Sequence, residues 1–374
     1  MEYNNLNGKN EGGLKMSFIK NLKIERYRGL ENLEFKNFKK INLFIGENNT
    51  GKTSILEVLN ILSEPFNPAS IIQTSRIREK DFNLSSGSLS PYESFINIFN
   101  QKINDKKIAF SAEVKDKNIF IKLTGKETDI INVQPRYGIS ENYSVNNKPE
   151  KGKLFKGMFT FDDSNSSFEK EFTLAQDQSR IELNSEIDQD KLLNINYISP
   201  LEHLAHSKLI SQAIKTGNKK SLIKIMKIFD NKIISLDIID ENGRPIPYIE
   251  HQKLGIVPLS TFGDGLKKAL IIAANIVNVK DGVLLIDEIE TSIHKKALLE
   301  FFQWYIKGSF QYNVQSFIAT HSLEAIDALI NASKEQLNNI ACYRLEKDTE
   351  NIYINRISGK KLYDIRHSLG QDVR

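Results

Sequence analysis

The sequence predicts an α/β fold: a mixed β-sheet with an antiparallel lobe, a helical/β insertion and no long coiled coil. Three observations predict it. From Val257 onward, helical periods alternate with short apolar runs (266–277, 283–286, 295–306, 314–319), the pattern of a parallel sheet covered on both faces. Ile41–Ile45 is a largely apolar run that enters a glycine-containing loop and then a helical period, one βα unit. Residues 108–114 and 119–123 alternate apolar with polar about Asp116-Lys117-Asn118, which reads as a β-hairpin.

Along the chain, residues 1–15 are Asn- and Gly-rich and read as a disordered tail, with Met16 as an alternative start. Phe18, Leu22 and Ile24, then Leu30, Leu33 and Phe35, give two short strands about a turn at Arg28-Gly29. After the glycine loop, residues 55–62 are helical. Pro65, Pro68, Pro91 and a Ser-rich patch at 85–90 suggest helices joined by loops over 64–105. Residues 125–157 are polar and irregular and read as a loop, whereas Phe159, Phe161, Phe168, Phe172 and Leu174 suggest further strands. Residues 195–198 look like a buried strand. Residues 201–229 are helical, with Lys219, Lys220, Lys224 and Lys227 interleaved among apolar positions. Those lysines read first as a solvated face and second as a surface for phosphate backbones. Residues 233–239 form a strand that turns at Glu241-Asn242-Gly243 and returns over 246–249, where Pro245 and Pro247 would confine the partner to a sheet edge.

With 374 residues, about 150 per domain predicts two to three units. The division expected is a tail at 1–15, a first lobe at 16–200 with its helical insert at 64–105, a helical arm and hairpin at 201–250, and a second lobe at 251–374. A net charge of +4 permits nucleic-acid contact without requiring it. One cysteine, Cys342, excludes a disulfide framework and a zinc ribbon and points to a reducing compartment, the cytoplasm. The most apolar stretch, 269–277, is interrupted by Asn275 and falls short of the roughly 20 residues a membrane-spanning helix needs, so no membrane is expected.

Four segments carry chemistry. Residues 46–53, GENNTGKT, satisfy G-x-x-x-x-G-K-[ST] between a strand and a helix. In such a loop the backbone N–H groups of Asn49, Thr50, Gly51, Lys52, Thr53 and Ser54 cradle phosphates at a helix N-terminus. Lys52 neutralises β/γ oxygens and the Thr53 hydroxyl ligates Mg²⁺; the bland alternative is a glycine turn without ligand. The strand VLLID ends in Asp287 and Glu288. Asp287 would join the Mg²⁺ shell and Glu288 would deprotonate the attacking water, although two adjacent acids can also form a polar turn. His321 follows the next apolar strand, placed to hydrogen-bond a γ-phosphate; a lone histidine there can equally be structural. Ser260, Gly263 and Gly265 precede a helix and could form a second anion-binding N-terminus, or an ordinary Ser cap. One nucleotide needs one clamp, so the economical reading is that these three serve a nucleotide held by another subunit, in a head-to-tail dimer with two composite sites.

These elements in this order, with RYRGL (Tyr27, Arg28) near the start, resemble the ABC-type ATPase superfamily, in the branch of RecF, the SMC-type ATPases and the OLD-type ATPases. The chain is most similar to the bacterial OLD-like AAA ATPase domain families, through STFGDGLKK, LLIDEIE and ATHS, over about 16–374. The resemblance implies an ABC-type P-loop ATPase core using ATP and Mg²⁺. It implies a homodimer or higher homo-oligomer in which Ser260, Gly263 and Gly265 act in trans, and Glu288, His321 and Lys52 as catalytic groups. It further implies that Arg28 contacts the nucleotide and that His294 lies at the dimer interface, with Gln73 a weak candidate for the magnesium-binding glutamine. Lys267-Lys268 stands where arginine is usual, and Thr291-Ser292-Ile293 replaces the commoner Asn-Gly-Leu.

Strands, prolines and loops over 64–255 leave no room for the heptads of an SMC arm, and 53 residues after His321 leave none for a fused Toprim nuclease. The function expected is an ATP-dependent switch and scaffold that controls a separate effector, a Toprim-type nuclease, in anti-phage defence, triggered by DNA or a phage protein. The alternatives are a RecF-like DNA-repair ATPase that clamps DNA and a slow-hydrolysing ATP-binding scaffold.

Overall fold

The computed structural model describes residues 17–78, 89–101, 103, 105–132, 150–176, 182–183, 191–200, 207–348, 351–368 and 370–374. The expected tail and the alternative start at Met16 lie outside them.

A six-stranded sheet divides the molecule. It contains β3 (Ile41–Ile45), β9 (Ile195–Ile198), β13 (Val283–Asp287), β14 (Gln315–Ala319), β15 (Ile340–Lys347) and β16 (Ile352–Ser358), in the order β16-β15-β3-β14-β13-β9. Every neighbouring pair is parallel except β15–β16. The parallel strands turn alternate side chains to two separate cores. Leu43, Leu284, Ile318 and Cys342 enter one; Phe44, Leu285, Phe317 and Tyr343 enter the other. Burial on both faces is why β3 and β13 read as apolar runs with no polar alternation.

The aromatic core is closed by an antiparallel lobe. Its seven strands are β1 (Ile19–Tyr27), β2 (Leu30–Phe35), β4 (Lys106–Val114), β5 (Lys117–Asn132), β6 (Glu150–Asp162), β7 (Ser167–Ala175) and β8 (Glu182–Leu183), in the order β2-β1-β4-β5-β6-β7-β8. Edge-to-face rings lock this lobe to the central sheet: Phe35 on Phe44 at 5.5 Å and Phe38 on Phe317 at 4.8 Å. Helices α1 (Lys52–Ile61), α2 (Pro68–Ser75) and α3 (Pro91–Ile96) pack on the same side, α3 opening with a Ser90–Glu93 capping box. The expected loop at 125–157 is largely sheet: Gly125 pairs with Gly157 and the ladder continues to Asn132 and Glu150. Residues 125–129 are exposed or half-buried and carry no apolar alternation, whereas Phe155, Gly157, Phe159 and Phe161 continue the buried face with a glycine in place of one apolar side chain. Residues 133–149 lie outside the described ones.

The opposite core gathers α4 (Ser207–Lys215), α5 (Lys219–Phe229), α6 (Asp264–Asn278), α7 (Lys295–Gln311), α8 (Leu323–Ala332) and α9 (Gly359–Ser368). The helical period read across 201–229 is therefore two helices, and 201–206 lie outside the described residues. Beside them stands a three-stranded sheet, β10 (Ile233–Glu241), β11 (Arg244–His251) and β12 (Gly255–Pro258), in that order. The proline-bearing strand β11 is thus central, which corrects the edge expected for it. Its last pair with β12 is Tyr248–Pro258, so Pro245 and Pro247 sit where β12 has already ended. There they pair only with Asp240 and Ile238, and their missing N–H groups point to the vacated side.

The longest helix among the described residues, α7, has 17 residues. No helix among them is long and apolar enough to cross a membrane.

Candidate functional site

Three of the candidate motifs leave neighbouring strands. β3, β14 and β13 lie side by side and parallel, so the loops after their C-terminal ends meet at one edge of the sheet. Two backbone bonds stitch those ends together: Thr320 N–H donates to the Phe44 carbonyl (3.1 Å), and Glu288 N–H to the Ala319 carbonyl (3.0 Å).

The loop after β3 is built for an anion. Gly51 caps α1 at φ 91°, and a Cβ there would meet Leu30 Cδ2 at 2.4 Å, so only glycine fits. No side chain caps α1 and no acid lies in its first turn, which leaves its N–H groups directed at the loop. Asn49 takes φ 62° at the exposed tip, and the Thr50 hydroxyl pins the loop by donating to the Glu47 carbonyl at 2.9 Å. The Lys52 ammonium folds back to donate to the carbonyls of Gly46 (2.8 Å) and Glu47 (2.7 Å). Burial lowers its pKa, opposed by Asp287, Glu288 and Glu290. A buried ammonium resting on neutral carbonyls is a cation waiting for a charge partner.

Beside it, the Thr53 hydroxyl donates to Asp287 Oδ2 at 2.7 Å, and the Tyr197 hydroxyl reaches the same oxygen at 3.2 Å. Burial pushes the Asp287 carboxyl up and Glu288 adds to this, while the bonds from Thr53 and Tyr197 pull it down. A carboxylate whose ionised form burial disfavours, next to a hydroxyl, is a hard-oxygen pair that Mg²⁺ would stabilise. The residues fit that ion. No cluster of three His, Cys, Asp or Glu side chains forms a metal site among the described residues, so the remaining ligands would be phosphate oxygens and water.

Glu288 adopts φ 49°, turning the chain sharply away from β13. The His321 Nδ1 atom stands 3.6 Å from Glu288 Oε1 and 3.8 Å from Glu290 Oε1, too far for hydrogen bonds but within ion-pair range when the ring is charged. Glu290 was not singled out in the sequence. It accepts from the Thr320 hydroxyl at 2.8 Å, and its second oxygen is buried with no hydrogen-bond partner among the described residues. Its signal was the two-residue spacing of acids in DEIE.

A second missed residue is Arg78. Glu57 on α1 is fully buried and holds two guanidinium groups: Arg28 through Nε (2.7 Å) and Nη2 (3.3 Å), and Arg78 through Nε (2.6 Å). The Tyr27 hydroxyl adds a bond at 3.2 Å. Arg78 also donates to Ser54 Oγ at 3.1 Å, so the excess positive charge borders the phosphate loop. No local pattern marks a pairing that spans 21 residues.

Ser260 and Gly263 stand exposed before α6, with open space around Gly263. Among the described residues, Ser260 makes no hydrogen bond to the phosphate loop. Gly265 is packed differently: a Cβ there would lie 2.6 Å from the Ser292 carbonyl oxygen, in the segment after Glu288. Lys267 pairs with Asp264 at 3.1 Å, whereas Lys268 is buried and donates to the Ser199 carbonyl at 2.6 Å. His294 caps α7, its Nδ1 accepting from the Lys296 N–H at 3.3 Å. Gln73 lies on the exposed side of α2. The structure thus brings Lys52, Thr53, Asp287, Glu288 and His321 to one sheet edge, holds Arg28 on Glu57, and leaves Ser260 and Gly263 outward.

Among curated proteins, the chain is 25% identical to an "ATP/GTP phosphatase" of Helicobacter pylori over 339 residues, 85% of this chain and 89% of that one. It is 40% identical over 113 residues to an uncharacterized protein of Methanocaldococcus jannaschii, 30% of this chain and 98% of that one. Among solved structures it is similar to an Smc head bound to the C-winged helix domain of ScpA, with 14% identity, TM-score 0.48, and 93% and 100% of the two chains covered. A Thermotoga maritima SMC head domain is similar at 10% identity, TM-score 0.42, 91% and 100% covered. The strand order, the antiparallel lobe and the phosphate loop after β3 are those of an ABC-type P-loop ATPase fold. Residues 41–327 match the family described as "AAA domain, putative AbiEii toxin, Type IV TA system", and the chain belongs to it.

Proposed function

We propose that the protein is a Mg²⁺-dependent ATP hydrolase that works as a switch. Two copies close head to tail, Ser260, Gly263 and Gly265 of one facing the nucleotide held at Lys52 of the other, and the closed assembly controls a separate effector. The observation that carries the hydrolase reading is the 2.7 Å contact of Thr53 with Asp287 beside a lysine that, among the described residues, hydrogen-bonds only to loop carbonyls.

In this reading Lys52 and the uncapped N–H groups of α1 bind the β- and γ-phosphates. Thr53 and Asp287 would hold Mg²⁺, which when bound would supply positive charge against those oxygens. Glu288 accepts the proton of a water whose oxygen forms a bond to the γ-phosphorus as the bond to the ADP oxygen breaks. His321 donates to the γ-phosphate, and Glu290 and Thr320 hold that strand end in place. The relative named as an ATP/GTP phosphatase supports the nucleotide class. The effector, a Toprim-type nuclease in anti-phage defence, rests on the resemblance to OLD-like ATPases.

Phosphate release from ATP by the purified protein tests the hydrolase reading: Mg²⁺-dependent turnover that Lys52→Ala abolishes is expected, and turnover that survives Lys52→Ala overturns it. The effector is tested separately, by co-purifying the product of the neighbouring gene with ATP or ADP present. Association in neither state removes the effector and leaves the hydrolase standing.

A further inference from the structure

A groove runs between α5 and α7, at the end of the molecule opposite the phosphate loop. Its floor ends at Tyr312, whose carbonyl accepts from Asp281 N–H (3.0 Å) just before β13 begins, whereas Lys52 lies past the strands' C-terminal ends. Tyr312 closes this end of the groove, its hydroxyl donating to Asn218 Oδ1 at 2.7 Å and meeting Ser221 Oγ at 3.2 Å.

The walls are basic. Lys224 and Lys227 of α5 and Lys307 of α7 are exposed into it, and among the described residues Glu300 is the one carboxylate that lines it. Among the described residues, none of the three lysines has a carboxylate within ion-pair distance. Three ammonium groups on facing helices repel one another, so their attraction is left for an anion from outside. Trp304 lines the same groove, half-buried, one part of its ring packed on the helical core and its edge 3.8 Å from where a Cβ of Gly308 would be, one turn along α7. The amides of Gln303 and Gln311 complete the lining.

We propose that this groove binds single-stranded nucleic acid, the lysines taking backbone phosphates and Trp304 stacking a base. A positively charged groove that tracks a backbone, with an aromatic ring as a platform, is the physical recipe for sequence-tolerant strand binding. An acidic peptide would satisfy the lysines but leave the part of the indole that lines the groove and the two amides without partners. A duplex would supply phosphates but keep its ring faces stacked inside. A single strand offers phosphates, ring faces and base edges together. The site is separate from the phosphate loop, although α7, about 25 Å long, starts at His294, runs along the groove as one helix and joins the two regions.

Trp304 is the only tryptophan in the chain, so intrinsic fluorescence reports on this groove alone. Titration of the wild-type protein with a thymidine oligonucleotide about 20 nucleotides long should quench it. Three phosphate contacts should give a log–log salt dependence of about −2. The pair Lys224→Glu with Lys227→Glu should weaken binding by roughly a hundredfold, with circular dichroism unchanged, on the salt-sensitive phosphate contribution. Trp304→Phe, followed by anisotropy of a labelled strand, should weaken it about tenfold. Lys52→Ala should bind the strand as wild type does. The proposal is overturned if wild type shows no quenching, or if the folded charge-reversal variant binds equally well. Equal affinity for polyglutamate or for duplex of the same length also overturns it.

Discussion

The backbone amide of Glu288 donates to the carbonyl of Ala319 across 3.0 Å, so the residue proposed as base and the strand end that carries His321 move as one piece. Glu288→Gln keeps this bond and the side chain's shape. Turnover should fall about 10²–10⁴-fold, the contribution of a general base, with ATP affinity unchanged. Steady-state phosphate release and equilibrium nucleotide binding check both halves, and wild-type turnover would remove Glu288 from the chemistry.

Asp287 gives a prediction with opposite signs for stability and activity. Burial raises its carboxyl pKa, so its contribution to folding is present at low pH and is lost as pH rises through the folded-state value. At neutral pH the nucleotide-free fold therefore carries an ionised group that burial disfavours. Asp287→Asn retains an acceptor for Thr53 and Tyr197 but not the charge. Its melting temperature without nucleotide should exceed that of wild type at pH 7, with the gap closing on acidification, while Mg²⁺-dependent hydrolysis falls on the order of a hundredfold or more. A variant less stable than wild type at pH 7 contradicts the electrostatic account.

Arg28 and Arg78 share Glu57, but unequally: the Arg28 side chain is 16% exposed and that of Arg78 42%. Arg28→Ala leaves the buried carboxylate with the Tyr27 hydroxyl and a single, more exposed cation, Arg78. The cost should be about 3 kcal/mol, the lower end for breaking a buried pair because Arg78 remains. Adding Glu57→Gln should restore most of it. Urea unfolding of the single and double variants measures the difference, and an unrescued double variant would show that Arg28 acts through packing.

The head-to-tail dimer is tested by mixing subunits. Gly265→Asp is a poor choice, because any Cβ there collides with the Ser292 carbonyl and disturbs the segment after Glu288 within the same chain. Ser260→Arg, at an exposed position, spares the monomer. Each of Ser260→Arg and Lys52→Ala should be inactive alone, and mixing should restore part of the activity, since both lesions fall in one site of the mixed dimer. No recovery in proven mixed dimers would place catalysis within one chain.

How much of this was legible depended on whether the signal was local. The phosphate loop and the Asp287 strand declared themselves, because backbone geometry demands Gly51 where it stands and burial on both faces demands an unbroken apolar run in β13. The Arg28–Glu57–Arg78 cluster left no mark, since its partners come from three separate segments and any charged residue could have been solvated. Residues 125–129 were misread because that part of the strand outruns its core and needs no alternation, and 155–157 because Gly157 interrupts the apolar alternation of Phe155, Phe159 and Phe161. Pro245 and Pro247 misplaced β11 because the sequence cannot tell that β12 is too short to need their missing N–H groups.

Cys342 lies on β15 opposite Leu43 of β3, and its thiol is fully enclosed, with burial pushing its pKa far up. A thiol in that state cannot react in place; it must wait for the sheet to part next to the phosphate loop. The chain therefore carries its own clock for that opening. The rate at which a thiol reagent labels the protein times the separation of β15 from β3, and slowing by ATP would reveal how far nucleotide binding tightens the strand it rests on.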